Sequence, residues 1–299
     1  MASVMSKVLY VIFKKTTFKQ KLKKVLESKT IDAKNNKKPS FMMMKKYHGH
    51  MDQIFNRDVY TFIHHDQSVN QTILYLHGGA FLYGFNEGHF RLFKTLIKKT
   101  HCKIIAPDYP LLNDGDFSNI HAFLQEVLKK IKLNDPHKEI ILMGDSAGGG
   151  LALSLAEQLY QKNKTAKFHL LLLSPWLDLS MSDQDLSKTK DLDPILDFET
   201  LKLIGQRVAA NQDVKNPIHS PIYGSLQGIQ TIGLWTGTYD LLYIDALRLV
   251  EKAKKQNLHV DFYVYQQMMH TWFLFGLFES SKAIHEMIEH LKKLKKGES

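Results

Sequence analysis

Glu139-Ile140-Ile141-Leu142-Met143-Gly144-Asp145-Ser146-Ala147-Gly148 is the stretch that decides the fold. Its first half is apolar without alternation, as in a strand buried on both faces. Its second half is G-x-S-x-G, and an apolar run over Ala147–Gln161 follows at once and reads as a helix. A serine at the tip of so sharp a strand-to-helix turn stands in strained backbone, where side chains two residues before and after would collide. Glycine at 144 and 148 removes the collision. The Ser146 hydroxyl then projects above the sheet, beside a helix N-terminus that favours negative charge. That is where a nucleophile belongs. Asp145, its neighbour, is expected to point away from any base.

Outward from this turn, short β-rich runs alternate with helical stretches from Val59 onward. Strands are predicted at Val59–His64, Thr72–His77, Lys103–Ala106, Glu139–Met143, His169–Leu173, Ile232–Trp235 and Val260–Tyr265. Helices are predicted at His89–Lys99, Phe117–Lys132, Ala147–Gln161, Tyr243–Lys255 and Lys282–Lys295. The fold class is therefore α/β: a mostly parallel central sheet with helices on both faces. The early strand Thr72–His77 runs into His77-Gly78-Gly79-Ala80-Phe81. Sites on open parallel sheets form at the carboxyl edge, so this loop and the serine share an edge. Attack on an ester puts charge on the carbonyl oxygen, and each preorganised N–H aimed at it contributes about 3 kcal/mol. The N–H groups of Gly78 and Gly79, with that of Ala147 after the nucleophile, are the expected donors. His77 reads as a structural residue holding this loop.

A serine hydroxyl needs a base to take its proton. With the nucleophile on such a turn, the partners follow in chain order Ser, Asp or Glu, His. The chain has fifteen histidines. After Ser146, His169 and His259 stand at strand starts, away from the active edge. His285 and His290 ride on a Lys-rich amphipathic helix and are expected to be exposed, and His219 lies in a predicted insertion. Only His270 follows shortly after the carboxyl end of a predicted strand. By the same rule the acid follows Ile232–Trp235, at Asp240 rather than at Asp245 inside the next helix. Phe81, Tyr83, Asp145, Trp176 and His219 are the candidates for contacts with substrate.

The 299 residues can bury about three quarters of the unfolded chain's surface in one core, and 44% hydrophobic with 23% charged residues is ordinary for a globular protein. No apolar run reaches the ~20 residues of a membrane span. The single cysteine, Cys102, excludes an intrachain disulfide and suits a reducing, cytoplasmic setting. The net charge of +10 is unevenly placed. Residues 1–50 hold thirteen Lys against Glu27 and Asp32, which is +11, and the remainder sums to −1. A basic arm on a neutral body argues against a nucleic-acid-binding face on the core. In the arm, Val4, Val8, Ile12, Phe18, Leu22 and Val25 recur at helical spacing. A helix packed over the main domain is the favoured reading; a solvated basic helix and a peripheral membrane anchor are the rivals. Residues 34–40 read as a connection. Residues 1–55 thus form a basic helical arm and 56–299 a catalytic domain. Within that domain Ser180–Ile222, too long for a crossover, reads as a cap insertion.

With these pieces assembled, the chain resembles the hormone-sensitive-lipase family of α/β-hydrolases, its bacterial carboxylesterases in particular. HGGAF at 77–81, GDSAGG at 144–149, SPWLDLS at 174–180, GTYDLLYID at 237–245 and YQQMMHTW at 265–272 carry the likeness, in family order. The resemblance implies an α/β-hydrolase fold with a helical cap built from the N-terminal region and an insertion. It also implies a Ser146–Asp240–His270 triad, an oxyanion hole from Gly78, Gly79 and Ala147, and no cofactor or metal. Ala80 stands where glycine is common. The implied activity is hydrolysis of short- to medium-chain acyl esters through an acyl-enzyme, on a small-molecule substrate. An amide or arylformamide hydrolase would carry the same triad, and a ligand-binding protein on a retired scaffold is the reading from another class. Homo-oligomerisation is left open.

Overall fold

The computed structural model describes residues 2–16, 18–28, 36–64, 69, 71–112, 114, 117–134 and 140–296. Three helices come first: α1 (Val4–Lys15), α2 (Phe18–Glu27) and α3 (Phe41–Lys46). The strands are β1 (His50–Ile54), β2 (Arg57–Phe62), β3 (Thr72–Leu76), β4 (Lys103–Pro107), β5 (Ile140–Asp145), β6 (Phe168–Leu173), β7 (Ile229–Gly237) and β8 (Val260–Tyr265). From β3 on, helices alternate with them: α4 (Glu87–Thr100), α5 (Phe117–Asn134), α6 (Ala147–Lys162), α7 (Phe198–Ala209), α8 (Tyr243–Lys255) and α9 (Phe278–Lys296). Positions 34 and 35 of the expected connection, and Glu139 at the start of a predicted strand, lie outside the described residues.

The eight strands form one sheet in the order β1-β2-β4-β3-β5-β6-β7-β8. The β1–β2 and β2–β4 pairs are antiparallel, and every other pair is parallel. The apolar strands supply two cores because successive side chains point to opposite faces. Leu74, Leu76, Leu142, Leu170 and Leu172 belong to one core, while Ile73, Tyr75, Ile141, Met143, Leu171 and Leu173 belong to the other. Helices cover both faces, so an unalternating sequence pattern satisfies both at once.

β1 was not foreseen. His-Met-Asp-Gln-Ile at an edge buries only Ile54, so its pattern carries no apolar signal to read. The N-terminal helices lie against the domain. Leu22 and Leu26 of α2 are buried, α2 packs on α7, and Arg207 of α7 donates to the Leu26 carbonyl at 2.7 Å. Ser3, ahead of α1, holds the Glu279 carboxylate through its backbone N–H at 2.5 Å and its hydroxyl at 3.0 Å. Residues 180–222 contain α7 and two short 3₁₀ turns.

Candidate active site

Ser146 stands between β5 and α6 with φ 52° and ψ −122°, a left-handed φ that costs a non-glycine residue energy and persists only where its surroundings enforce it. They do. Its N–H donates to the Leu173 carbonyl at 2.9 Å, and its own carbonyl accepts from the Trp176 N–H at 2.9 Å. A Cβ on Gly144 would meet the Gly148 carbonyl, and one on Gly148 would meet the carbonyls of Leu76 and His77. The turn closes only with glycine at both places.

Three side chains from distant parts of the chain meet at this turn. His270 Nε2 lies 2.9 Å from Ser146 Oγ. His270 Nδ1 lies 3.0 Å from each carboxylate oxygen of Asp240. A proton on Nδ1 is thus donated to Asp240, which leaves Nε2 to accept from the serine hydroxyl. All three groups are buried. Burial alone would lower the His270 pKa, but the adjoining Asp240 charge and its hydrogen bond raise it, with Asp193 and Asp145 adding to the effect. Asp245, the rival acid, accepts the N–H groups of Leu177 and Asp178 at 3.0 Å each and an Arg248 bond at 3.3 Å. Burial, with Asp178 nearby, pushes its pKa up to about 7.

The loop after β3 corrects one assignment. The Gly78 N–H donates to Asp145 Oδ1 at 2.9 Å, so it does not face the position of a substrate carbonyl. The N–H groups of Gly79, Ala80 and Ala147 have no protein acceptor among the described residues. Gly79 takes φ +117°, and Ala80 follows it with φ 53°, turning the loop over the serine. The Asp145 Oδ1 also accepts from Tyr75 Oη at 2.8 Å and lies 3.1 Å from His89 Nε2. Burial would raise the Asp145 pKa; His89, Tyr75 and the Gly78 N–H together hold it below the ordinary carboxylate value. Asp145 borders the cavity, yet its bonds fasten the loop and do not reach outward to substrate. His77 fits the structural reading. Its ring stacks on Tyr109 with centroids 4.1 Å apart, its Nδ1 meets the Gly78 carbonyl at 2.7 Å, and burial lowers its pKa to about 3.

A cavity of about 390 Å³ opens over Ser146 and His270. Gly79, Ala80 and Tyr83 border it on one side, Ile195 and Leu196 on another, and Lys21 and Leu22 of α2 close over it with Leu274 and Phe275. Of the five side chains expected at substrate, Tyr83 and Asp145 border this space and three do not. Phe81 and Trp176 are fully buried, their rings 6.0 Å apart in the core. The Trp176 indole donates to the Asp178 carbonyl. His219 is buried with Nε2 3.0 Å from Gln212 Oε1. His290, expected to be exposed, is buried with Nδ1 2.9 Å from Asp261 Oδ2, whereas His285 is exposed.

One residue had no signal in the sequence. Asp193, in the segment between β6 and α7, brings a second buried carboxylate within 4.8 Å of the ligand atoms of Asp240 and His270. Its oxygens accept from the N–H groups of Ile195 at 2.7 Å, Leu196 at 3.0 Å and Leu241 at 2.8 Å. It thus ties two cavity-lining residues to the turn that carries Asp240. Burial, then repulsion from Asp240, raises its pKa to about 6. Such a trio has the makings of a metal site, but three backbone N–H donors aimed at Asp193 and the ring N–H at Asp240 satisfy these groups without a cation.

A family description of the α/β hydrolase fold matches residues 73–274, which take in the strands from β3 to β8, the serine turn and the histidine loop. The chain belongs to the α/β-hydrolase fold family. Among curated proteins, this α/β hydrolase is similar to an esterase of Acinetobacter venetianus, 29% identical over 227 residues that cover 74% of this chain and 75% of that one. It is also similar to an acetyl-hydrolase of Streptomyces hygroscopicus, 27% identical over 203 residues and 68% of each chain. Among solved structures, an esterase from the bacterial hormone-sensitive lipase family superposes with a TM-score of 0.82 at 22% identity, covering 98% of this chain and 99% of that one. An esterase/lipase from an uncultured bacterium gives 0.81 at 20% identity with the same coverage. These likenesses extend the α/β-hydrolase architecture over nearly the whole chain, the N-terminal helices included.

Proposed function

We propose that this chain is a serine carboxylesterase that cleaves short- to medium-chain acyl esters through an acyl-enzyme. The observation that carries the reading is the continuous hydrogen-bonded line from Ser146 Oγ through the His270 ring to Asp240, at 2.9 and 3.0 Å. The enzyme class, carboxylic ester hydrolase, agrees with the esterases and acetyl-hydrolases to which the chain is similar.

Ser146 Oγ attacks the ester carbonyl carbon while His270 Nε2 takes its proton. Asp240 holds the ring's tautomer and stabilises the imidazolium. The negative charge gathers on the former carbonyl oxygen, where the N–H groups of Gly79, Ala80 and Ala147 meet it. When the C–O bond to the alcohol breaks, His270 returns the proton to the leaving oxygen, and the acyl group stays on Ser146. Water then repeats the sequence and releases the acid. Tyr75, His89 and Asp145 keep the donor loop rigid, so its dipoles need no reorganisation as the charge forms. Residues of α2 and the inserted segment act as a cap over the acyl group. The cavity volume lies at the small end of small-molecule pockets, which favours short to medium acyl chains.

The test is a series of p-nitrophenyl esters from acetate to palmitate, run beside Ser146→Ala and a fluorophosphonate reagent. The expected outcome is turnover that peaks at short to medium chains, covalent labelling of Ser146, and a loss on the order of 10⁴-fold or more in Ser146→Ala. A wild-type protein that neither turns over any ester nor takes the label would overturn the reading.

A further inference from the structure

Helix α1 has two apolar faces, and among the described residues only one of them has a partner. Ser6, Leu9, Tyr10 and Phe13 face the body: Ser6 is buried, Leu9 and Phe13 pack on the core. Tyr10 sets its ring 5.2 Å from Tyr239, and Phe13 sits 5.4 Å from Phe275. On the opposite side Val4, Met5, Val8, Val11 and Ile12 form one stripe, at the spacing of a single helix face. Their exposures are 79, 67, 50, 46 and 51%. Phe278, 76% exposed, extends the patch at the N-terminal end, because its neighbour Glu279 is bonded to Ser3 and Phe278 shares a surface recess with Ala2. A contiguous apolar patch of this kind marks a docking site.

Charge decides what docks there. Lys7, Lys14 and Lys15 are exposed on the same helix, as are Lys23 and Lys24 on α2, and residues 1–50 as a whole carry +11 on a body of −1. A second copy of the chain would set these lysines against their own images, like charge to like charge. An anionic lipid surface would meet the stripe with acyl chains and the lysines with headgroups. The helix is twelve residues, about 18 Å long, too short to cross a bilayer but suited to lie in its surface. No helix among the described residues is long and apolar enough to span.

We propose that the outer face of α1 docks the protein reversibly on an anionic phospholipid membrane, with the Val4–Ile12 stripe seated at the headgroup boundary. The inner face of the same helix touches Phe275, which borders the cavity, and Tyr239, which precedes Asp240. The docked surface therefore lies on a helix packed beside the cavity's lining. The docking is independent of the esterase reading, since binding is measured without turnover.

The experiment is co-sedimentation of the full chain with vesicles of phosphatidylcholine, alone or mixed with phosphatidylglycerol. Binding to the mixed vesicles is expected to exceed that to phosphatidylcholine by about tenfold or more and to fall as salt is raised. A Val8→Ser/Val11→Ser/Ile12→Ser variant should lose about tenfold in binding while keeping its thermal unfolding midpoint and its far-ultraviolet spectrum. Equal binding to both lipids, no binding to either, or wild-type binding by the variant would each overturn the proposal. So would a concentration-dependent dimer that the same triple substitution dissolves, because the stripe would then be a contact between copies.

Discussion

At the scale of single residues, the proposed base is set by the charges around it. His270 is faced by Asp240 from the turn after β7, by Asp193 from the inserted segment and by Asp145 from the end of β5. All three negative charges favour the imidazolium, which is why its pKa is raised in spite of burial. The proposed chemistry needs the neutral ring, so activity should climb as pH rises through that raised value. Asp193→Asn keeps the shape and removes one charge. It should move the acidic limb of the kcat/KM–pH profile to lower pH by about one unit. A simple packing role for Asp193 predicts instead a uniform loss at every pH with the limb unmoved. The sequence shows Ser146, Asp240 and His270, the proposed triad, because each follows a strand end in a fixed order. It hides Asp193, one acid among several in the polar segment between β6 and α7, since its proximity to His270 exists only after that segment folds back. It also misleads at Gly78: consecutive glycines do not reveal which N–H faces outward and which is taken by Asp145.

At the scale of elements, the site is a meeting of strand ends, and its tightest point is where β3 passes α6. Gly148 on α6 sits against the carbonyls of Leu76 and His77, so the helix start and the donor loop share one close contact. Gly148→Ala should force them apart, at a cost of about 3 kcal/mol in stability, read from the urea midpoint at unchanged slope. Activity should fall with it, because the Ala147 N–H and the Ser146 rotamer ride on the same turn. An alanine variant with wild-type stability and activity would show that the turn relaxes freely. The same strands were the most legible part of the sequence. Ile140–Met143 and Leu170–Leu173 are apolar at every position because both sheet faces are covered. β1 was illegible for the converse reason, as an edge strand with four of its five residues outside the core. Phe81 and Trp176 were misplaced by the aromatic signal itself: proximity to a motif does not say whether a ring faces the cavity or the core, and both face the core.

At the scale of the whole molecule, the proposed catalysis and the enclosure of the cavity come from different parts of the chain. The sheet's carboxyl edge supplies Ser146, Asp240, His270 and the donor loop, whereas the roof over them includes Lys21 and Leu22 of α2 and Ile195 and Leu196 of the inserted segment. Those two roof pieces touch each other through α2 and α7, and Arg207 binds the last turn of α2. Removing residues 1–28 should therefore leave the catalytic groups assembled while opening the acyl space to water. Turnover of p-nitrophenyl acetate, which buries little acyl surface, should stay within a few-fold of wild type. The KM for a medium-chain ester should rise by about tenfold, since two or so methylenes lose their apolar contact at ~0.8 kcal/mol each. Leu22→Asp should reproduce the direction of that change without shortening the chain, which separates loss of the roof from general unfolding. Equal losses on acetate and on the medium-chain ester, with an unfolding midpoint close to wild type, would mean that the arm shapes the catalytic groups themselves and that enclosure is not its main contribution.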